Sequence, residues 1–548
     1  MITFLKWRVP SACLTMLAVI SIAFAMLRLA IAGPFNPALA GNPHLPPDVL
    51  AKLHGAFDQG QPLLGQFGRY LWNALHLDFG PSMGYRDYDV AEVLFKSLGI
   101  TVELVVWALV IALAVGVPLG TLAALRRGSA LDRLLQTLAA IAATLPLFVI
   151  AVMLALLFAI TLHWLPAGGW DGGWTRRILP VLCLALPLTA TVGRISRRAL
   201  VSDQASDSSA RGGRMIAGLS AALGSLDLLI SGALMGEVIV ENAFALPGTG
   251  RYLVQASLND DATLLAGALI VYAGLIVTGG LLGELGRLLL DGRGAAGAAA
   301  STATRAVGSG RPTGSVPGPA ILFSAGLFLA VLLICALGSW LLPLPDPEAP
   351  DFDAISAPPS WASGHLLGAD NLGRDVLSRL LTGGTHSSLL AAGAVLAAAA
   401  ILLAWRTIGR YLPAAPPRLG TPGAALPFLV LALVLQGEVV LLPRTIGLAC
   451  LTWLVLGVIW RTRLPILVEA VLALPVALVG EAYLGYLGVW EGEALVTWGS
   501  LFRDGLQDPY SAPWQGLAPA ILLVLVGTSL LLVAERVRDA APREGPAV

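Results

Sequence analysis

Runs of about 20 mostly apolar residues, the length needed to cross the hydrocarbon core of a bilayer, recur along the whole chain between short polar or basic breaks. Such runs predict membrane-spanning helices, and twelve can be placed. In the first half they are Val9 to Ala32, Leu98 to Ala124, Leu134 to Thr161, Ile178 to Val201, Met215 to Val240 and Ala262 to Leu290. In the second they are Ala320 to Leu342, Ser387 to Trp405, Ala424 to Leu442, Thr445 to Trp460, Pro465 to Val479 and Leu517 to Ala534. The pattern predicts an all-α polytopic membrane protein of about twelve transmembrane helices in two six-helix halves.

Six segments follow along the chain. Residues 1–97 hold the first span and an outer segment, and 98–290 a helical core. Residues 291–318 change to Gly, Ala, Ser, Thr and Pro, the composition of a flexible linker. Residues 319–386 repeat the plan of span plus outer segment, 387–538 form a second core, and 539–548 a polar tail. The repetition suggests two related halves.

Composition strengthens this picture. Of 548 residues, 56% are hydrophobic and 12% charged, and the 34 basic residues balance the 34 acidic ones. No global field favours nucleic acid, so the placement of charge carries the information. Lys6, Arg8, Arg126, Arg127, Arg133, Arg194, Arg197, Arg211, Arg214 and Arg287 fall on one side of the alternating spans, whereas 33–97 and 343–385 carry few bases for their length. Basic loops stay in the cytoplasm, which predicts a multi-pass inner-membrane protein with both termini cytoplasmic. Cys13, Cys183, Cys335 and Cys450 lie far apart, mostly in apolar runs, as small buried hydrophobes do.

Several stretches go beyond this pattern. Gly368-Ala369-Asp370-Asn371-Leu372-Gly373-Arg374-Asp375 leads into Val376-Leu377-Ser378-Arg379, and Asp375 and Arg379 stand at the i, i+4 spacing that lets charges pair on an interfacial helix. Glu241 opens the stretch Glu241-Asn242-Ala243-Phe244-Ala245-Leu246-Pro247-Gly248-Thr249-Gly250-Arg251, in which Leu246 to Gly250 predict a turn, with glycine supplying positive φ. Glu481-Ala482-Tyr483-Leu484-Gly485 precedes Thr497-Trp498-Gly499. Gly116 and Gly120 share a helix face and allow close helix packing.

These residues resemble the permeases of the dipeptide/oligopeptide/nickel-type ABC importers. The first half is similar to the B-type subunit and the second to the C-type subunit, as though fused. The resemblance implies a type I importer permease fold that forms the translocation path, with no cofactor of its own. It also implies separate ABC ATPase subunits that bind ATP and a periplasmic or surface solute-binding protein. Its motifs point to Glu241, Pro247, Gly248, Gly250, Glu481 and Gly485 at the path, and to Gly368, Asp370, Leu372, Gly373, Arg374, Asp375, Ser378 and Arg379 as a marked outer segment. The ATPase-docking loop corresponds to Ser209, Ala210, Arg211 and Gly212, in a stretch shorter than the family's. In the second half Arg461-Thr462-Arg463 leaves no room for one.

Carboxylates inside spans are costly in lipid and should face the bundle or a wet path. Glu103, Asp227 and Glu237 join the candidate path on that ground, with a structural hydrogen bond the alternative for each. None of the three lysines follows a glycine, so no standard P-loop lies in the chain, and no His-Glu-x-x-His or nucleophile-elbow pattern suggests an enzyme. An ion-driven secondary transporter and a non-transporting partner protein are the competing readings.

Overall fold

The computed structural model describes residues 2–31, 62–85, 88–171, 173–202, 211–259, 261–291, 318–361, 364–409, 466–488, 495–506 and 512–540. The described residues form helices joined by loops, with two isolated bridges, Pro81 to Asp89 and Ala369 to Asp375. They fall into two compact units, 2–143 with 150–291 and 144–149 with 318–540.

The first unit begins with α1 (Ile2–Ile31), α2 (Leu63–Leu75) and α3 (Val90–Leu125). Then come α4 (Ala130–Thr144), α5 (Leu147–Leu154) running into one π-helical stretch (Ala155–Thr161), and α6 (Trp174–Ser202). Helices α7 (Arg211–Leu223), α8 (Leu226–Ala243), α9 (Thr249–Leu258) and α10 (Ala262–Asp291) complete it. The second unit carries α11 (Gly318–Leu341), α12 (Val376–Gly409), α13 (Ile466–Tyr486), α14 (Trp498–Gly505) and α15 (Pro513–Ala540).

Among the described residues, α3, α6, α10 and α12 are long and apolar enough to cross a membrane, and the bent pair α7–α8 makes a fifth. The expected spans at 424–442 and 445–460, and Arg461-Thr462-Arg463 after them, lie outside the described residues. The apolar stretch at 134–161, expected as one span, is interrupted between α4 and α5 at Leu145 and Pro146, where proline lacks the N–H that would continue a helix. The span expected at 215–240 bends by 62° between α7 and α8. Gly224 and Ser225 separate the two helices.

In lipid, helices associate through close packing and hydrogen bonds, because burial gains no transfer from water. The α3–α6 pair uses small residues for this. A Cβ on Gly116 would come within 2.8 Å of the Thr189 carbonyl oxygen, and one on Gly120 would collide with the Gly193 carbonyl. Pro118 leaves α3 uninterrupted. In the second unit α13 packs against α12, α14 and α15, around a fully buried Trp498 whose Nε1 donates to the Leu380 carbonyl at 3.1 Å. Cys183 and Cys335 are buried as expected, but Cys13 is exposed on α1.

Candidate functional site

Each unit contains a buried glutamate near the end of one helix, seated beside a hydroxyl from the unit's long helix and the first turn of a short helix. In the first unit Glu241, on the last turn of α8, is fully buried. Its Oε1 accepts from Thr101 Oγ1 of α3 at 2.6 Å, and its Oε2 accepts from the Arg251 N–H in the first turn of α9 at 3.1 Å. Thr101 in turn accepts from the Thr249 N–H at 2.9 Å, and the Thr249 hydroxyl lies 3.1 Å from that of Ser97. The carboxylate therefore satisfies N–H groups that a helix start leaves without intrahelical partners.

The loop before α9 departs from the sequence expectation. Gly248 is extended, at φ −96°, and the positive φ falls on Ala245 at 54°. Gly248 is required for space instead, because a Cβ there would occupy the position of the Glu241 carboxylate. Gly250 is similar: its Cβ would sit 2.8 Å from Val238 Cα and 3.0 Å from Glu237 Oε2. Pro247 is exposed. Glu237, fully buried one turn before Glu241, accepts from the Tyr272 hydroxyl of α10 through one oxygen, and its Oε2 lies beside Glu241 with no full hydrogen bond among the described residues.

The second unit repeats the plan. Glu481 of α13 is fully buried, beside the hydroxyls of Ser387 on α12 and Thr497 at the start of α14. Neither of its oxygens reaches full hydrogen-bond geometry. Ser387 accepts from the Trp498 N–H at 3.1 Å, as Thr101 accepts from Thr249. Thr101 and Ser387 also stand at the same position counted from Val90 and Val376, the first residues of α3 and α12. Gly485 permits the contact, since its Cβ would lie 2.7 Å from Thr497 Oγ1.

The marked segment before α12 is a charged knot rather than an interfacial helix. Asp370 accepts from the Leu372 and Arg374 N–H groups at 2.9 Å, from Arg374 Nε at 2.7 Å and from Arg379 Nη1 at 2.6 Å. Arg379 Nη2 reaches Asp504 of α14 at 3.1 Å. The expected pairing of Asp375 with Arg379 is overturned, because each takes another partner. Asp375 accepts from the Ser378 N–H at 2.7 Å, capping α12, and meets His365 Nδ1 at 3.0 Å. Ser378 donates to the Pro345 carbonyl at 2.6 Å. Gly368 and Gly373 adopt φ of +79° and +78°, a region open to glycine, and Leu372 is exposed.

The first unit's counterpart is simpler. Asp261, before α10, accepts from the Ser82 hydroxyl and from the Gly84 N–H at 2.9 Å, tying the bridge segment to the last helix. In the second unit Gln515 of α15 reaches the Ala369 carbonyl at 3.2 Å to the same effect.

Glu103 is half-buried and pairs with Arg177, whose guanidinium lies over the rings of Trp170 and Trp174 at 5.1 and 5.2 Å. Asp227 stands on α8, with its side chain outside the described residues. Ser209 and Ala210 also lie outside them, while Arg211 and Gly212 open α7. Among the described residues no cluster of three metal-ligating side chains occurs. The sequence did not single out Asp261, Ser387 or Thr497 as positioning residues, because a lone hydroxyl or carboxylate becomes informative only when the fold supplies its partner.

Residues 116–209 match the family described as binding-protein-dependent transport system inner membrane component. The oligopeptide transport system permease protein OppB of Escherichia coli (strain K12) is 33% identical over 289 residues, covering 50% of this chain and 93% of that protein. OppB of Haemophilus influenzae is 33% identical over 291 residues, covering 50% and 94%. The dipeptide transport system permease protein DppB of Bacillus subtilis is 28% identical over 292 residues, covering 51% and 93%.

Proposed function

The chain belongs to the family of binding-protein-dependent inner-membrane transport components, and from that premise we propose that it is the membrane permease of an ATP-driven importer for short peptides. The observation that carries the reading is the 33% identity that spans 93% of an oligopeptide permease. Multi-pass membrane insertion follows from the same membership and from the apolar helices.

The chain also holds two permease halves, B-type then C-type. In support, each unit carries a buried glutamate, Glu241 or Glu481, a hydroxyl at matching register, Thr101 or Ser387, and a short helix whose first N–H meets that hydroxyl. In the first half the elbow 244–250, locked by Glu241 and Thr101, belongs to the translocation path, and in the second half so do Glu481 and Gly485. Pro247 is exposed on that elbow, Glu237, Gly248 and Gly250 pack behind it, and Gly485 gives Thr497 its place beside Glu481. ATP is hydrolysed on separate subunits that dock at Arg211, Gly212 and the residues before them, and a solute-binding protein delivers the peptide from outside. Both termini are cytoplasmic.

Vesicles containing the chain, its ATPase subunits and a peptide-loaded binding protein test this. Peptide uptake should require ATP inside the compartment bearing the ATPase and persist when ion gradients are collapsed. Uptake that follows a proton or sodium gradient without ATP would sink the proposal. Deleting 202–214 should abolish co-purification of the ATPase.

A further inference from the structure

Helix α2 presents three different sides. Gln66, Tyr70 and Ala74 are buried, and Phe67 and Tyr70 lie against Phe24 of α1, with ring centroids 5.4 and 5.6 Å apart. On another side Leu64, Leu75 and Trp72 are 82%, 66% and 65% exposed. At 3.6 residues per turn these three positions cluster within about a quarter of the helix circumference, so they form one continuous apolar strip. Arg69 and His76 occupy the third side, next to Trp72, and are exposed as well.

The neighbours of α2 say what covers that strip. Phe24 lies about two turns before the end of α1, an apolar helix, and the chain after α2 continues to Val90, the first residue of a helix long enough to span. The helix is thereby held against the outer third of α1. Exposed apolar side chains stand close to these points on both helices, at Ile22 of α1 and Phe95 of α3. An amphipathic helix at that depth, with tryptophan on its apolar side and a basic residue beside it, has the features of a helix lying in the membrane interface.

We infer that α2 lies flat in the interface, with Leu64, Trp72 and Leu75 seated among phospholipid headgroups and the upper acyl chains, and so moors the segment between α1 and α3 to the bilayer surface. The inference rests on membrane insertion alone and not on peptide as substrate, so failure of ATP-driven uptake leaves it standing.

The test places single cysteines by Leu64→Cys, Trp72→Cys and, as an aqueous control at an exposed acidic position, Asp353→Cys. The parent is the full chain freed of its four cysteines, labelled with an environment-sensitive fluorophore and diluted to about one chain per phosphatidylcholine/phosphatidylglycerol vesicle, so that interfacial insertion alone is read. At positions 64 and 72 the emission should shift to the blue, lose most of its quenching by aqueous iodide and be quenched by lipid carrying a nitroxide near the headgroup. Position 353 should show the reverse. If the cysteine-free parent does not fold, a photo-reactive phenylalanine at 64 in the natural chain should cross-link to lipid. Iodide quenching at 64 equal to that at 353, or cross-links to water-side groups alone, overturns the inference. So does protection that appears only at high chain density, which would mark a second copy, or only when a solute-binding protein is added.

Discussion

Thr101 donates to Glu241 at 2.6 Å while accepting from the Thr249 N–H at 2.9 Å, so one hydroxyl joins α3, α8 and α9. Both residues are fully buried. Thr101→Val keeps the shape but leaves a carboxylate oxygen and an amide without partners, which costs about 1–3 kcal/mol for each buried group left unsatisfied. The apparent midpoint of SDS- or heat-induced unfolding in detergent should fall, whereas Thr101→Ser should stay near the parent.

Gly248→Ala should be more damaging than its size suggests, because the new methyl group competes with the Glu241 carboxylate for one position. Removing that carboxylate should return part of the loss. A double-mutant cycle of Gly248→Ala with Glu241→Ala should therefore give a coupling energy of about 0.5–3 kcal/mol. Strict additivity would show that the two do not share the space.

Arg379 is 6% exposed and Asp370 3%, and truncating Arg379 leaves Asp370 with Arg374 as its one remaining guanidinium partner. Arg379→Ala should cost about 1.5–3 kcal/mol, and Arg379→Lys should recover little, since one ammonium cannot span both Asp370 and Asp504 as the two terminal nitrogens of arginine do. Limited proteolysis of 351–375 would report the loosening directly.

Asp132, at the head of α4, supplies a pH dependence. Burial alone would raise its carboxyl, but the Arg197 guanidinium at 2.8 and 2.9 Å, the Gly128 N–H and nearby Arg127 outweigh it and hold the group below the usual carboxylate value. A folded-state value below the unfolded one means that the stabilisation is fully present above the ordinary carboxylate range and fades as pH falls through the folded-state value. Wild type should thus unfold later than Asp132→Asn at neutral pH, with the gap closing on acidification. A gap that stays constant with pH would remove the carboxylate from the account.

Among the described residues helix existence was legible from apolar run length, and Gly116 and Gly120 from their spacing, because those signals lie within one segment. The bend after α7 was not, since Gly224 and Ser225 look like ordinary small residues in an apolar run. The i, i+4 rule misassigned Asp375 and Arg379 because it weighs only local neighbours, whereas His365 and Asp504 come from elsewhere in the chain. Glycine in the turn at 246–250 was expected to supply positive φ, but at Gly248 proximity to Glu241, rather than backbone angle, excludes a side chain. Helix α2 escaped because its short amphipathic pattern sits in a segment read only as outer loop.

The start of α14 carries its own fastening, in which Thr497 and Ser500 bond to each other's backbone in a reciprocal cap, while α9 has no side-chain cap and borrows Glu241 and Thr101 from its neighbours. A shift of α3 along its axis therefore unlatches α9, whereas the same shift of α12 leaves the cap of α14 in place. Each half thus answers movement of its long helix differently: one short helix comes loose with its neighbour, and the other keeps its own start.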